Sequence, residues 1–401
     1  MNKTFDMSIF LPAFLLSALS VVLIYAATFY SASPVLKMIY QKQVIWFGLG
    51  LVVCAIIYFI PLRFHEAFAY VYYGLACVLL VFLLLYSKGS SSRWISLGFF
   101  NVQPAELAKL AVVFSLARFL GFSKLKLDEF RWVFAVLAII ALPAGLILIQ
   151  PDLGSSLVFF AIFIALIIWS GLSPGRILMV VTPVIGIISA FHWLSWAIFI
   201  FLLLVLIFVT RLRLWQGVFF FLANLIGGMI TPVMWNNLHT YQQKRIITFL
   251  DPGQDPRGAG YQIIQSKIAV GAGGFFGQGF LQGTQTKLNF LPERHTDFIF
   301  SVLAEQFGFF GSVIVIALFC IIFYRGFAVA LKARNQFFGY AACGLTAVMA
   351  FQVLINIGMT IGLTPVTGLP LPFLSYGGSS LLFFWAAIGL LLAINRDWQE
   401  Y

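Results

Sequence analysis

Four ionisable residues stand together at the edge of a long apolar run. Residues 291–300 read LPERHTDFIF, in which Glu293, Arg294, His295 and Asp297 precede the apolar sequence. A carboxylate at the end of a membrane-spanning segment is costly unless it has partners or a chemical task. Such a carboxylate could act as a general base, and His295 could be a second base or could orient the carboxylate. Asp297 is therefore the first candidate for a catalytic residue, with capping of the following helix as the alternative.

Two further groups of charged residues stand beside apolar runs. Glu106 and Lys109 are three positions apart in PAELAKL, so in a helix their side chains lie on one face and can pair. An ion pair inside a membrane segment serves function, or it locks neighbouring helices together. Asp152, in QPDLGSS, is either a site residue or the cap of the helix that follows it.

The composition defines the class of protein that must position these groups. Of the 401 residues, 62% are hydrophobic and 9% are charged. A soluble domain carries about a quarter charged residues, so the bilayer must be the solvent for most of this chain. The sequence therefore predicts an all-α polytopic membrane protein.

The apolar runs predict the transmembrane helices, about 10–12 in number. Most runs are about 20 residues long, as a helix crossing the hydrocarbon requires. The runs lie near 8–30, 43–61, 67–86, 104–121, 131–149, 154–171, 176–191, 196–210, 214–235, 298–324, 337–362 and 377–394.

Basic residues in alternate short connections predict the orientation. By the positive-inside rule this side is cytoplasmic, and with an even number of spans it also holds both termini. The net charge of +11 largely reflects this topology, so no nucleic-acid partner is inferred. The residues include Arg63, Lys124, Lys126, Arg176, Arg211, Arg213, Lys332, Arg334 and Arg396.

Three polar or Gly/Pro-rich segments then face outward, at 87–103, 236–297 and 363–376. The middle one is longer than a helix connection needs, and such loops are usually functional or disordered. Tyr261, Ile264 and Ile268 recur within it at helical spacing, which predicts a short helix lying in the membrane interface. The candidate acids and bases gather on this outer face.

Several long motifs make the chain similar to the SEDS family of cell-shape, elongation and sporulation polymerases. The resemblance covers nearly the whole chain, and GTQTKLNFLPERHTDF is similar to the RodA branch of the family. The motifs are SSRWISLG at 91–98, PAELAKL at 104–110, QPDLGSS at 150–156, YQQKRIITFLDPGQDPRGAGYQIIQSKIAVGAGG at 241–274, GTQTKLNFLPERHTDFIF at 283–300 and GLTPVTGLPLPFLSYGGSS at 362–380.

The resemblance implies a peptidoglycan glycosyltransferase that polymerises lipid II outside the cytoplasmic membrane, inverts the anomeric centre and releases undecaprenyl diphosphate. It implies that Asp297 is the catalytic residue, with no organic cofactor. A divalent cation, Mg²⁺ or Mn²⁺, is left open, with Glu106 and Asp152 as its candidate ligands. The substrate-binding candidates are Arg93, Trp94, Glu106, Lys109, Asp152, Arg245, Lys267, Arg294 and His295.

The resemblance also implies partners and a place in the cell. The expected partners are lipid II and, in an elongation complex, a class B penicillin-binding protein, and the expected location is the inner membrane. Residues 1–401 are expected to form one membrane domain, in which 236–297 is the large extracytoplasmic loop. The apolar stretch 176–213 departs from the family's usual ten spans and predicts an extra transmembrane hairpin.

Two rival functions use the same residues differently. A lipid II flippase would move the lipid-linked sugar across the membrane, and Gln352 and Asn356 are polar groups inside a span that such a transporter could use. The outer position of the charged residues counts against it, since transporter sites lie near the midplane. A noncatalytic scaffold for a partner enzyme would not need so charged and Gly-rich an outer loop.

Overall fold

Long helices dominate the computed structural model, as the composition predicts. The structure describes residues 5–86, 93–96, 98, 101–122, 131–238, 240–255, 258–288 and 290–399. Lys124, Lys126 and much of the predicted outer segment 87–103 lie outside the described residues. The helices are α1 (Met7–Thr28), α2 (Pro34–Lys37), α3 (Ile39–Phe59), α4 (Leu62–Ala67), α5 (Ala69–Tyr86), α6 (Pro104–Phe122), α7 (Arg131–Ile149), α8 (Leu153–Trp169), α9 (Pro174–Ser189), α10 (Trp193–Val209), α11 (Leu214–Asn237), α12 (Thr240–Leu250), α13 (Ala259–Ala272), α14 (Thr284–Lys287), α15 (Ile299–Lys332), α16 (Gln336–Ile361) and α17 (Gly378–Gln399).

Each predicted span contains a helix, and the chain is a multi-pass membrane protein. Among the described residues, eight helices are long and apolar enough to cross a membrane. Three more, α8, α9 and α10, are apolar but shorter, at 16 or 17 residues. The remaining predicted span is α6, which carries the charges of Glu106, Lys109 and Arg118 within 19 residues.

The chain divides into two compact units. The first contains α1 to α6, most of α7 and α8, and α13 to α17. Within it α17 packs against α3, α15 against α16 and α1, and α6 against α16 and α5. The core lies on α16 and α17, where Trp385 is fully buried, so these helices form the support on which the polar segments rest.

The second unit is formed mainly by residues Ile167–Ile247. Its helices α9, α10 and α11 pack against one another, so the predicted hairpin 176–213 is helical. Asn224 on α11 donates to the hydroxyl of Thr182 on α9 at 3.0 Å, which joins the two helices by a buried polar contact.

The helix α15 is interrupted near its start. Gly308 has φ 66° and ψ −160°, a conformation that favours glycine. The break frees the carbonyls of Glu305 and Gln306, which accept hydrogen bonds from the backbone N–H groups of Gln278 (2.9 Å) and Gly279 (3.2 Å). The Gly-rich end of the long loop is thereby attached to α15.

The predicted helix near Tyr261 is confirmed as α13, and its position in the membrane interface stays a prediction. Ile268 is 45% exposed, whereas Ile263 and Ser266 are buried against α15 and α16. The Ser266 hydroxyl donates to the carbonyl of Thr360 at 2.7 Å, so a polar contact helps to fix α13 to α16.

A small sheet precedes α6. Strands β1 (Ile95–Ser96) and β2 (Asn101–Val102) pair antiparallel, with Ile95 opposite Val102 and Ser96 opposite Asn101. The Ser379 hydroxyl, at the start of α17, donates to the carbonyl of Asn101 at 2.9 Å. This hydrogen bond attaches the sheet to the N-terminal end of α17.

Candidate active site

Asp297 lies in a series of turns that leads into α15. The helix begins at Ile299, its N-cap is Phe298, and no side chain makes a capping hydrogen bond there. The alternative interpretation, that Asp297 is the helix cap, is therefore wrong. The Asp297 N–H donates to the carbonyl of Glu293 at 3.1 Å, and the side chain is half-buried. The backbone of Asp297 is thus positioned by the loop that precedes the helix.

The backbone of Asp297 is held by a side chain from α16. Asn356 is fully buried, and its Nδ2 atom donates to the carbonyls of Asp297 at 3.0 Å and Leu369 at 2.8 Å. One amide group therefore joins three parts of the chain: the loop before α15, the α16 helix and the segment 362–377. Buried hydrogen bonds of this kind orient the group that they hold.

The two residues before Asp297 are attached to the same 362–377 segment. The Ser375 hydroxyl donates to the carbonyl of Thr296 at 2.6 Å. The Tyr376 N–H donates to the carbonyl of His295 at 2.9 Å. Because the carbonyls of three consecutive residues accept hydrogen bonds, the backbone of Asp297 is fixed, and with it the direction of its Cα–Cβ bond.

The carboxylate of Asp297 lies against glycine backbone. A Cβ atom added to Gly368 would lie 3.6 Å from Asp297 Oδ2, and Gly368 itself has φ 76°. The neighbouring Thr367 carbonyl packs against Gly154, where a side chain would not fit. The QPDLGSS segment is therefore adjacent to the segment that supports Asp297.

Asp152 caps α8. Its Oδ1 accepts from the Ser155 N–H at 3.0 Å, and its Oδ2 accepts from the Ser155 hydroxyl at 2.9 Å and from Gln103 Nε2 at 3.3 Å. The capping interpretation is thus confirmed. A direct contact of Asp152 with substrate remains a prediction.

Arg93 is directed at the same turn. Its Nε donates to the carbonyl of Gln150 at 3.2 Å, and Nη2 donates to the carbonyl of Pro151. Arg93 is half-buried, whereas the neighbouring Trp94 is 43% exposed. Arg93 therefore supports the QPD turn, and Trp94 presents an aromatic surface beside it.

Glu106 and Lys109 form the ion pair that their spacing predicts. Lys109 Nζ lies 2.7 Å from Glu106 Oε2, and the two side chains are 0% and 4% exposed. The ammonium also lies 4.8 Å from the ring centre of Phe383 on α17. Within the described part of the chain, neither Nζ nor Oε2 has a hydrogen bond of good geometry. The ammonium carries three N–H donors and meets one carboxylate, so it has capacity for an anion.

Glu106 and Asp152, the two candidate ligands for a divalent cation, both have partners in the structure, and a bound cation stays a prediction. Glu106 already faces an ammonium group at 2.7 Å, and both oxygens of Asp152 accept hydrogen bonds. A hard cation needs several free oxygen ligands. The described residues contain no group of three His, Cys, Asp or Glu side chains placed to hold a metal.

Arg294 is part of a buried network. It is 7% exposed, and its Nη1 donates to the carbonyl of Thr286 at 3.0 Å. Glu305, fully buried, accepts from the N–H groups of Gln285 (2.7 Å) and Thr286 (3.2 Å). Burial lowers the pKa of Arg294, and the charge of Glu305 acts in the opposite direction. Arg294 thus holds the GTQTK turn, while its predicted contact with substrate stays a prediction.

The other predicted residues are placed differently. His295 is half-buried with its ring 6.0 Å from that of Tyr376, and burial lowers its pKa below the ordinary value, with Glu293 opposing that shift. Lys267 is exposed on α13, with its ammonium beside Gly362. Arg245 is half-buried on α12 in the second unit, so its role beside Asp297 stays a prediction.

Residues outside the predicted set complete the site. Asn356, Ser375 and Gln103 position Asp297 and Asp152 through the contacts given above. Asn356 gave a signal in the sequence, since it is a polar residue inside an apolar run, but that signal was assigned to the transporter alternative. Ser375 and Gln103 lie in loops and gave none.

The fold and the site define a class: a polytopic helical membrane protein with a carboxylate held by polar loops and a buried ammonium on a helix. The family model described as "Cell cycle protein", which comprises FtsW, RodA and SpoVE, matches residues 6–197 and 195–400. The chain belongs to this family. The junction of the two matches falls inside the predicted hairpin 176–213.

Relatives and solved structures agree with the family. The chain is 36% identical to the peptidoglycan glycosyltransferase MrdB of Escherichia coli K12, over 98% of this chain and 96% of that protein. It is 33% identical to the peptidoglycan glycosyltransferase RodA of Treponema pallidum, over 98% and 97%. A solved structure titled as a peptidoglycan synthase complex that coordinates polymerization and crosslinking matches at TM-score 0.73 and 30% identity, over 99% of both chains. RodA of Thermus thermophilus matches at TM-score 0.64 and 26% identity, over 98% and 97%.

Proposed function

We propose that this chain is a peptidoglycan glycosyltransferase that polymerises lipid II, with Asp297 as the general base. The observation that carries the proposal is the clamp on residues 295–297, whose three carbonyls accept hydrogen bonds from Tyr376, Ser375 and Asn356. Catalytic groups must be held in a fixed geometry, and these three hydrogen bonds fix the backbone at Asp297. The relatives that match almost the full chain are named as peptidoglycan glycosyltransferases, and this supports the reaction class.

The reaction is a single displacement at a sugar carbon. The hydroxyl oxygen of the acceptor sugar forms a bond to the anomeric carbon of the donor, and the bond from that carbon to the diphosphate oxygen breaks. The hydroxyl proton passes to the carboxylate of Asp297, and undecaprenyl diphosphate leaves with the electron pair. Displacement from the opposite face inverts the anomeric centre. A positioned carboxylate supplies about 10²–10⁴-fold in rate when it takes such a proton.

Lys109 is our candidate for stabilising negative charge on the substrate. It is fully buried and has one carboxylate partner, Glu106, at 2.7 Å. Charge stabilisation by a preorganised cation is strongest where water is excluded. Glu106 holds the ammonium in place and offsets its charge before substrate binds.

The rival, a lipid II flippase, loses part of its support. Asn356, one of the two polar residues in α16 that a transporter could use, is committed to the carbonyls of Asp297 and Leu369. An assay in detergent separates the two functions, because micelles have no second compartment. The purified chain, with its partner, should convert labelled lipid II into glycan polymer. Absence of polymer under conditions that support a known family member would contradict the proposal.

We place the site on the extracytoplasmic face of the inner membrane, with both termini cytoplasmic and a class B penicillin-binding protein as partner. The basic connections support the orientation. The match to a synthase complex that joins polymerization to crosslinking supports the partner. A single cysteine at position 251 should react in intact cells with a membrane-impermeant maleimide, and one at position 63 should not. The opposite pattern would reverse the orientation.

A further inference from the structure

A groove lies between α10 and α11, at the ends joined by residues 210–213. Its volume is about 550 Å³, and its walls are mostly apolar. Gly217 lets α10 and α11 approach closely at the groove, because a Cβ atom there would lie 2.9 Å from the Ile207 side chain. The groove lies wholly in the second unit, and its α10 side belongs to the segment 176–213, which departs from the usual span number of the family. Its walls include Leu204, Ile207, Phe208, Val218, Phe221 and Leu222.

The surroundings of the groove are strongly apolar and exposed. Phe208 is 85% exposed and Leu214 is 87% exposed, which only a hydrocarbon environment makes favourable. On α10, burial inside the protein is confined to Phe199 and Leu203. An apolar groove at such a surface fits an acyl chain.

Two arginines stand at the mouth of the groove. Arg211 and Arg213 both line it, and both are exposed. No Asp or Glu occurs between Asp152 and Asp251, so the basic residues of this stretch have no acidic neighbour in the sequence. In the described part of the chain, no carboxylate pairs with either arginine. The mouth therefore presents unneutralised positive charge beside hydrocarbon.

The backbone at Arg211 is strained. Its φ is 48°, in the left-handed region, where Gly or Asn is the favoured residue. Strain of this kind persists where the surrounding structure or a function requires the residue. An arginine at this position therefore suggests that its side chain is needed.

We propose that this groove binds an anionic phospholipid, with the headgroup phosphate on Arg211 and Arg213 and an acyl chain between α10 and α11. Basic pockets between transmembrane helices recognise such headgroups, and a guanidinium matches phosphate geometry. The bound lipid would neutralise a connection that carries no acid of its own and would fill the apolar groove between the two helices. This role does not depend on the catalytic proposal.

Lipid retention tests the proposal directly. The full chain is purified in detergent, and bound cardiolipin or phosphatidylcholine is counted by native mass spectrometry across a lipid titration. Each arginine near the membrane surface contributes about 1 kcal/mol, so Arg211→Gln with Arg213→Gln should weaken cardiolipin binding roughly thirty-fold. Arg63→Gln removes an exposed arginine elsewhere on the same predicted face and should leave the affinity unchanged. Equal binding of both lipids, or no loss in the double variant, would overturn the proposal.

Two single variants separate lipid binding from folding. Arg211→Gly relieves the strained backbone, so it should raise the unfolding temperature in lipid-depleted detergent while it weakens cardiolipin binding. Val218→Trp fills the groove and keeps both arginines, and it should also weaken binding. Undiminished binding in Val218→Trp would place the lipid outside the groove. A copurifying protein that shields Arg211 while no lipid is retained would show instead that the groove holds a partner helix.

Discussion

Two buried amides one turn apart on α16 should respond to mutation in opposite ways. Asn356 donates to the carbonyls of Asp297 and Leu369, at 3.0 and 2.8 Å. Gln352 is equally buried, yet among the described residues its side-chain nitrogen and oxygen have no hydrogen-bond partner. The first amide is therefore structural for the site, and the second carries an unmet desolvation cost.

Asn356→Ala removes both hydrogen bonds and should lower the free energy of unfolding by about 1–3 kcal/mol, given the modest strength of hydrogen bonds inside membranes. It should also slow polymerisation, because a displacement of about 1 Å at a catalytic group costs about 10²-fold in rate. Gln352→Leu keeps the volume and removes the unmet polar atoms. It should raise stability by about 1 kcal/mol or more and leave the rate within a few-fold of the original.

Two measurements on the same purified proteins check this pair. Thermal unfolding in detergent, followed by tryptophan fluorescence, reports stability, and polymer formation from labelled lipid II with enzyme in excess reports the chemical step. If Asn356→Ala polymerised at the full rate, the clamp on the Asp297 carbonyl would not be what positions the carboxylate. If Gln352→Leu slowed the reaction as much, the buried amide itself would take part.

Three further predictions concern the other charged groups. Lys109→Met leaves Glu106 buried without its partner and should lower the free energy of unfolding by about 3–5 kcal/mol. Lys109→Met combined with Glu106→Leu should recover stability but not polymerisation. Recovery of both in the double variant would show that the pair is purely structural. Glu305→Gln weakens charge-assisted hydrogen bonds to the GTQTK turn and should lower the free energy of unfolding by about 1.5–3 kcal/mol. An unchanged melting temperature in this variant would contradict the prediction. Burial lowers the pKa of His295 from 6.5, so on acidification the imidazole is protonated in the unfolded protein before it is protonated in the folded protein. The free energy of unfolding should therefore be highest above about pH 6.5 and should fall as the pH drops towards the pKa of the folded state. His295→Gln should flatten that dependence in thermal melts between about pH 7 and 5, and an equal slope in both proteins would contradict it.

The helices could be predicted from sequence because hydrophobic length determines a span. The run near residue 298 predicts a helix start that the structure places at Ile299. The break at Gly308 could not be predicted, since it depends on N–H groups from Gln278 and Gly279 thirty residues away. The face of α13 that packs inside the protein could not be predicted either, because Ser266 is buried through a hydrogen bond that local periodicity does not encode.

The site shows the same division. The Glu106–Lys109 pair follows from helical spacing, which sequence reveals. The sequence left open whether Asp152 caps α8 or belongs to the site, and the contacts to Ser155 establish the cap without excluding a site role. The clamp on Asp297 joins segments about 60 to 80 residues apart in sequence, so its partners Asn356 and Ser375 could not be paired with it by spacing.

Asp297→Asn is the most direct test of the central claim, that this carboxylate takes the acceptor proton. The substitution keeps the size of the side chain, and Asp251→Asn makes the same charge change at an exposed turn of the same loop. Polymer formation from labelled lipid II should fall at least about 10²-fold in Asp297→Asn, with an unchanged melting temperature, and should persist in Asp251→Asn. Polymerisation by Asp297→Asn at the rate of the unmodified chain would contradict the account.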